Sequence, residues 1–306
     1  MTNKEAIPGG PEFSIVIPSR DRPAQLQRAL EAISRLENPR EQFEVIVVDD
    51  GSREPYEPLI APFSGAMNLT CSRCGGNGPA QARNAGLRVA RGRFVALIDD
   101  DCTPASDWLS LLADALRSHP EALVAGRTLN ALPENPFAEA SQVLLSYLYA
   151  YGRARNHEFL FFASCNLAMS AELYRHCGGF DRRFTLPGGE DRDFCDRWRA
   201  SGRPLVYVES AVVYHWHHLT LTRFLRQHFT YGRGAWHFHR ARMDRGLDKL
   251  RVAPVPFLAG MMARPFQEPA ADRPMAISFL IGTSVVANAL GYFHERFHTR
   301  NYTADR

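Results

Sequence analysis

The chain has 306 residues, 45% hydrophobic and 23% charged, which is an ordinary globular composition for one large domain or a domain with an appendage. A net charge of +3 is too small to argue for nucleic acid, and six cysteines in this length make no disulfide framework, which predicts a reducing compartment. Residues 1–11 are polar with Pro and Gly and carry no signal-peptide pattern, so a cytoplasmic protein is expected, in which the sequons at Asn68 and Asn301 have no meaning.

Phe13-Ser14-Ile15-Val16-Ile17 is a short β-branched run that predicts a buried strand, broken at Pro18-Ser19-Arg20-Asp21. Pro23 suits the first turn of a following helix, in which Leu26, Leu30, Ile33 and Leu36 recur at helical spacing. Residues 43–48 form a second strand, ending in Asp49-Asp50-Gly51-Ser52, and the three elements make a βαβ unit with a parallel pair. A weaker strand at 67–71 leads into a Gly-rich loop. Its Cys71-Ser72-Arg73-Cys74 has no second pair at zinc spacing and reads as plain thiols. A small-residue helix opens at Pro79, and a strand over 93–98 follows, ending in Asp99-Asp100-Asp101. A helix from Asp107-Trp108, a strand at 123–126 and an aromatic helical pattern over 137–151 complete a doubly wound α/β first half.

No G-x-G-x-x-G follows the first strand and no G-x-x-x-x-G-K-[ST] occurs, which removes the usual dinucleotide and P-loop readings. Two strands instead end in acids. Ligands of α/β sheets gather outside the carboxyl ends of the strands. Alternation along an extended chain points Asp99 and Asp101 the same way, where they could share a hard divalent cation; a solvated acidic turn is the plainer alternative.

Five segments, FSIVIPSR from Phe13, EVIVVDDGS from Glu44, AQARNAG from Ala80, FVALIDDDC from Phe94 and GGFDRRFTLPGGEDRDFCDRWRA from Gly178, resemble family-2 glycosyltransferases with the GT-A fold. They run in the family's order over about two thirds of the chain. The resemblance implies an inverting, metal-dependent, hexosyltransferase-type enzyme that moves a sugar from a UDP-, GDP- or dTDP-sugar to an acceptor hydroxyl. The acceptor would be a glycan, a lipid-linked molecule or a small molecule, in polysaccharide or glycoconjugate synthesis. By the same resemblance, Pro18, Arg20 and Asp21 line the nucleotide pocket, Asp50 meets the base and Arg83 approaches the diphosphate. Asp99 and Asp101 match the ends of the D-x-D motif: Asp101 is the direct ligand of Mn²⁺ or Mg²⁺, with Asp99 a second ligand or, with Asp100, near the ribose or sugar. Asn166 aligns near the donor sugar.

Glu190-Asp191 matches the acid pair on the acceptor side. Displacement requires the acceptor hydroxyl to lose a proton, which makes Asp191 the expected general base, with Glu190 positioning it or hydrogen-bonding the acceptor or sugar. The same two acids at a helix start would also meet the positive end of its dipole. His215 and His217 lie in Tyr214-His215-Trp216-His217-His218 after a strand-like run at 211–214; imidazole suits Mn²⁺ in a site otherwise made of oxygen, and His215 is the favoured further ligand. Processive synthases carry a downstream Q-x-x-R-W, but here Phe194 stands at the Gln position before Arg197-Trp198, so one transfer per acceptor is expected, with Trp198 in the core. A sugar-nucleotide synthase would need a Gly-rich loop with Arg and Lys after the first strand, which is absent; a non-catalytic carbohydrate- or partner-binding protein on the same scaffold is the remaining alternative.

The family motifs stop at His218, so the expected domains are a catalytic one at 12–218 and a helical extension at 219–306. A helix is predicted over 219–236. Between His215 and Arg251 there are eight Lys/Arg and two Asp/Glu, interleaved with Phe229, Tyr231, Trp236 and Phe238. This pattern suits either a solvated face or anionic lipid headgroups and an acceptor's pyrophosphate. Residues 276–293 carry no charge but hold Ser278, Thr283, Ser284 and Asn288, which favours a buried or interfacial helix over a span. Peripheral attachment to the inner membrane face is compatible with both features.

Overall fold

The computed structural model describes residues 10–154, 161–247, 254–267 and 272–304. Most of the 1–11 start and the basic residues Lys249 and Arg251 lie outside the described residues. In the first half the elements are β1 (Phe13–Ser19), α1 (Pro23–Ile33), β2 (Phe43–Asp49), α2 (Glu57–Ile60), β3 (Asn68–Arg73), α3 (Pro79–Val89), β4 (Phe94–Ile98), β5 (Cys102–Pro104), α4 (Trp108–Ser118) and β6 (Leu123–Asn130). There follow α5 (Pro136–Ala154), β7 (Asn166–Ser170), α6 (Ala171–His176), α7 (Glu190–Ala200), β8 (Leu205–His215), α8 (Leu221–Asp244), α9 (Val255–Ala263) and α10 (Pro274–Ala304).

The described residues divide into two units. The first, made of residues up to 129, 162–185 and 194–216, holds one sheet in the order β3-β2-β1-β4-β7-β6-β8-β5. The strands β3, β2, β1 and β4 run parallel, and β7 runs antiparallel to both β4 and β6. The sheet is therefore mixed rather than wholly doubly wound. Its parallel half is legible as continuous apolar runs because both faces are covered: Ile15, Val16, Ile17, Val45, Ile46, Val47 and Val48 are all fully buried. Chain order reverses at β1, with β2 and β3 on one side and β4 on the other. Such a switch point leaves a crevice at the strands' carboxyl ends.

The small residues of α3 have a steric cause. A Cβ on Gly86 would run into Val16 Cγ1 and lie 2.9 Å from Val48 Cγ2, so the helix sits closely on β1 and β2. On the same helix, Asn84 Nδ2 donates to Phe180 O at 2.8 Å, while its Oδ1 accepts from Phe180 N and the Tyr174 hydroxyl. Trp198 is fully buried against Phe194 and donates to Glu121 O at 3.2 Å, a core role as expected.

The second unit comprises residues 130–161, 186–193 and 217–306. The expected two-part division at 218/219 thus differs in membership: α5 groups with the C-terminal helices. Its apolar face explains this, since Ala140 and Val143 share a cluster with Phe224, Met261, Ile277 and Ile281. The helices α8 and α10 cross at backbone distance, where a Cβ on Gly232 would meet Asn288 O and one on Gly291 would meet Phe229 O. Glu295 of α10 accepts from Arg233 Nε at 2.6 Å and is 2.9 Å from His237 Nε2. The predicted helices at 219–236 and 276–293 are present but longer, and α9 had no periodic signal.

Gly86→Ala is expected to lower stability by about 1–3 kcal/mol through overpacking against Val16 and Val48. A fall in the denaturant midpoint with an unchanged slope would show it; an unchanged midpoint would contradict the packing.

Candidate active site

The first unit gathers its polar side chains where β1, β2 and β4 end, and Ser19 joins the three. Its carbonyl accepts from Asp50 N at 2.9 Å, its Oγ donates to Asp100 Oδ2 at 2.7 Å, and the same hydroxyl lies 2.9 Å from the Tyr56 hydroxyl. Asp100 is thereby turned inward and 3% exposed. Burial first, then the adjacent Asp101, pushes its carboxyl up to about 7 against the opposing pull of Arg22 and Ser19.

Arg22, which the motif reading passed over, is central to this end of the sheet. Its Nη1 donates to Asp100 Oδ1 at 3.1 Å and to Asp101 Oδ2 at 3.0 Å, and half of its side chain stays in solvent. Burial would lower its pKa, but Asp100 and Asp101 outweigh that and raise it. The available signal was the pair of arginines flanking Asp21, one short turn after a strand. Arg20, by contrast, is exposed and reaches Gly76 O at 3.4 Å. Asp21 takes a positive φ of 53°, which aspartate tolerates, and its Oδ1 accepts from Arg53 N at 2.9 Å, so it does not cap α1. Pro18 lies within β1, opposite Val48, so the strand extends past its expected break.

Asp49 closes its own turn, with Oδ1 accepting from Ser52 N at 2.7 Å. Asp50 also serves the chain, with Oδ1 accepting from Asn77 N at 3.1 Å and Oδ2 from Gly78 N at 3.0 Å. The Cys74 thiol donates to Asp50 Oδ1 as well, and burial with this contact pushes the thiol up to about 11. Asp50 therefore holds the 74–78 loop against the end of β2.

Asp101 and His215 meet because β5 pairs antiparallel with β8 in the register Cys102↔His215. His215 Nε2 lies 3.1 Å from Asp101 Oδ1, and Trp216 N donates to Asp101 O at 2.8 Å. Burial alone would lower the His215 pKa, but Asp101 raises it to about 9. Asp101, Cys102 and His215 bring ligand atoms within 4.8 Å of one another. The Cys102 thiol is fully buried and burial pushes its pKa up; the Asp101 carboxylate and the His215 imidazole, once its proton is displaced, are donors that fit Mn²⁺ or Mg²⁺. Strand β8 ends at His215, so His217 lies beyond the strand.

Asp99, Arg83 and Asn166 each meet partners within the first unit. Asp99, expected as a second metal ligand or near the ribose or sugar, accepts from Arg83 Nη2 at 2.8 Å and lies outside the ligand cluster among the described residues. Arg83, expected to approach the diphosphate, is 4% exposed and pairs with Asp99 through Nη2. Asn166, expected near the donor sugar, is 1% exposed: Oδ1 accepts from Trp108 Nε1 at 2.8 Å, and Nδ2 donates to Arg127 O and Ala211 O at 3.1 Å each. It joins β6, β7, β8 and α4 in the interior, because a buried amide must satisfy all its groups.

In the second unit, Gly188 and Gly189 take φ values of 109° and 95°. A Cβ on Gly188 would lie 2.7 Å from Tyr231 Cδ1, and one on Gly234 would meet Gly188 O, so the turn rests directly on α8. This turn launches α7. Glu190 is 4% exposed and accepts from Gly188 N at 2.7 Å, whereas Asp191 is half-buried with Oδ1 accepting from Arg192 N at 2.8 Å. Asp193, fully buried, is paired with Arg245 Nη1 at 2.6 Å, a tie between α7 and the end of α8 that no motif announced.

The glycosyl transferase family 2 profile matches residues 14–178. The chain belongs to glycosyl transferase family 2. A second profile, described as the N-terminal domain of galactosyltransferase, matches residues 153–219. The chain is 32% identical over 235 residues to the pre-mycofactocin glycosyltransferase of Mycobacterium tuberculosis (strain H37Rv), covering 74% of this chain and 48% of that protein. It is 28% identical over 236 residues to the hyaluronan synthase of Pasteurella multocida, covering 66% of this chain and 24% of that one. The chain thus spans about half or less of these relatives' lengths. In fold it is similar to a mannosyltransferase of Pyrobaculum calidifontis in complex with GDP-Man and Mn²⁺ (TM-score 0.62, 17% identity, 91% and 87% of the two chains). It is also similar to S. aureus TarS 1-349 in complex with UDP-GlcNAc (TM-score 0.53, 16% identity, 95% and 92%). The GT-A fold with a helical C-terminal part follows.

Two measurements test the metal-binding geometry. Titration with Mn²⁺ should weaken at least tenfold in Asp101→Asn and tighten about tenfold in Arg22→Gln, which removes a competing cation; equal affinities would contradict the arrangement. In metal-free protein, the raised His215 pKa contributes stability that is complete below about pH 6.5 and lost as pH rises through about 9. That loss is up to about 3 kcal/mol in denaturation midpoints, and it should vanish in His215→Gln.

Proposed function

We propose that this chain is an inverting glycosyltransferase that moves a hexose from a nucleotide-diphospho-sugar to an acceptor hydroxyl. The observation that carries the reading is the Asp101–His215 pair, 3.1 Å apart, beside Arg22 and at the end of β4 in a family-2 sheet. The solved neighbours' complexes with GDP-Man and with UDP-GlcNAc support the donor class. The hyaluronan and chondroitin synthases among the relatives support a place in polysaccharide or glycoconjugate synthesis.

Asp101 and His215 are the residues that would hold a divalent ion, which when bound offsets the charge of the leaving diphosphate. Asp50 addresses the base, and its loop at 74–78 with Pro18, Arg20 and Asp21 borders the nucleotide. Arg83 fixes the aim of Asp99 toward the donor, while Asp100 keeps the strand ends together. Asp191 is the general base: the acceptor oxygen bonds to the anomeric carbon, the bond from that carbon to the diphosphate oxygen breaks, and the acceptor proton passes to the Asp191 carboxylate. Attack from the face opposite the leaving group inverts the anomeric centre. Glu190, bonded to Gly188 N, sets the turn from which Asp191 projects. The enzyme would act at the inner face of the membrane as a peripheral protein.

Nucleoside diphosphate release across a panel of UDP-, GDP- and dTDP-sugars, with and without Mn²⁺, is the direct test. Asp101→Ala should abolish turnover. Asp191→Asn should keep donor binding while the transfer rate falls by about 10²–10⁴. Unaltered transfer by either variant would remove its assigned role, and no turnover with any donor would favour a non-catalytic carbohydrate-binding protein.

A further inference from the structure

On α10, Met275, Phe279, Val286, Leu290, Phe293 and Phe297 are between 48% and 78% exposed. Their spacing places them within an arc of about 60° on the helix, in a stripe about 33 Å long. Other positions of α10 are committed within the unit. Ile277 and Ile281 are buried with Phe224 and Met261, the backbone crosses α8 at Gly232 and Gly291, and Glu295 is bonded to Arg233 and His237.

An 18-residue window within residues 274–298 has a mean hydropathy of 1.6, enough by composition alone for a span. A helix fastened in this way cannot cross a bilayer by itself, because Arg233, His237 and the polar face of α8 would have to enter with it. It can lie in the plane of the interface, where only the stripe leaves water. Next to its N-terminal half, where Ser278 Oγ donates to Met262 O, Val255 of α9 and Phe266 are 78% and 60% exposed and add apolar surface.

Charge selects the partner. Residues 217–306 contain 13 Lys/Arg and 6 Asp/Glu, an excess of seven positive charges, while residues 1–216 are negative by four. Arg273 is exposed at the start of α10, and Arg296 flanks the stripe near its far end. A second copy would bring two such positive segments together, whereas anionic headgroups neutralise them, at about 1 kcal/mol for each basic residue near the surface.

We infer that the α10 stripe seats the protein in the plane of an anionic phospholipid bilayer, with Phe279, Phe293 and Phe297 at the acyl boundary and the arginines among the headgroups. The inference rests on the peripheral placement proposed above and is independent of the transfer chemistry.

The full chain would be sedimented with vesicles of phosphatidylcholine alone and of phosphatidylcholine with phosphatidylglycerol. Binding should be confined to the anionic vesicles, weaken in high salt, and fall about tenfold or more in Phe279→Gln/Phe293→Gln. Both positions are exposed, and circular dichroism with nucleoside diphosphate release would report on the fold; Phe293→Gln alone would serve if the double variant were unfolded. Absence of binding to either vesicle, or full binding by the variants, overturns the inference. A concentration-dependent dimer in light scattering, abolished by the double variant, also overturns it by assigning the stripe to a second copy. Lost turnover with intact vesicle binding would count against the transfer reading alone.

Discussion

Three consecutive carboxylates at the end of β4 repel one another, by about 4 kcal/mol for a pair 4 Å apart in a partly buried setting. The first unit is arranged around meeting that repulsion. Asp99 is given to Arg83, Asp100 to Ser19 and Arg22, and Asp101 to Arg22 and His215. These partners come from β1, the loop after it, α3 and β8, so neutralising three adjacent charges ties four separate parts of the chain together. The inequality among the three acids follows. Asp100 is sealed inward and adjusts by a raised pKa, while Asp101 keeps an oxygen beside an imidazole, which suits it to the proposed metal-facing role.

A similar economy operates at the end of β2, where two adjacent acids divide the labour differently. Asp49 closes its own turn through Ser52, and Asp50 reaches across to the backbone of 77 and 78. The loop so held leads directly into α3, whose Gly86 allows it to lie close on β1 and β2 and whose Arg83 supports Asp99. One line of contacts therefore runs from the proposed base-reading carboxylate to the D-x-D motif. In the second unit the Gly188-Gly189 turn plays the corresponding part. Its contact with Tyr231 and Gly234 leaves no room for side chains, and Glu190 stabilises the turn from which Asp191 projects.

The parallel half of the sheet, α1, α3, α4 and the acid-ended strands were legible in the sequence because their signals are local: apolar runs, helical spacing and acids at strand ends. The missed features depend on long-range pairing. β5 is three residues long and exists as a strand through β8, whose register delivers His215 to Asp101. Asn166 matched a motif by position, yet the indole of Trp108 and the carbonyls of two other strands draw it into the interior. Arg22 stood outside the motif letters and needed the end of β4 beside it to acquire meaning. The membership of α5 in the second unit depends on which apolar face finds its complement, and hydrophobic spacing alone does not say that.

Half in solvent while its carboxylate partners are covered, Arg22 is an internal counterion on a flexible arm. Its positive charge can leave Asp100 and Asp101 only as equivalent charge replaces it. Were the proposed cation and the dianionic diphosphate of a sugar donor to enter together, their charges would sum to zero, and the guanidinium could exchange its carboxylates for the diphosphate. Ligand entry would then be an electroneutral exchange of ion pairs.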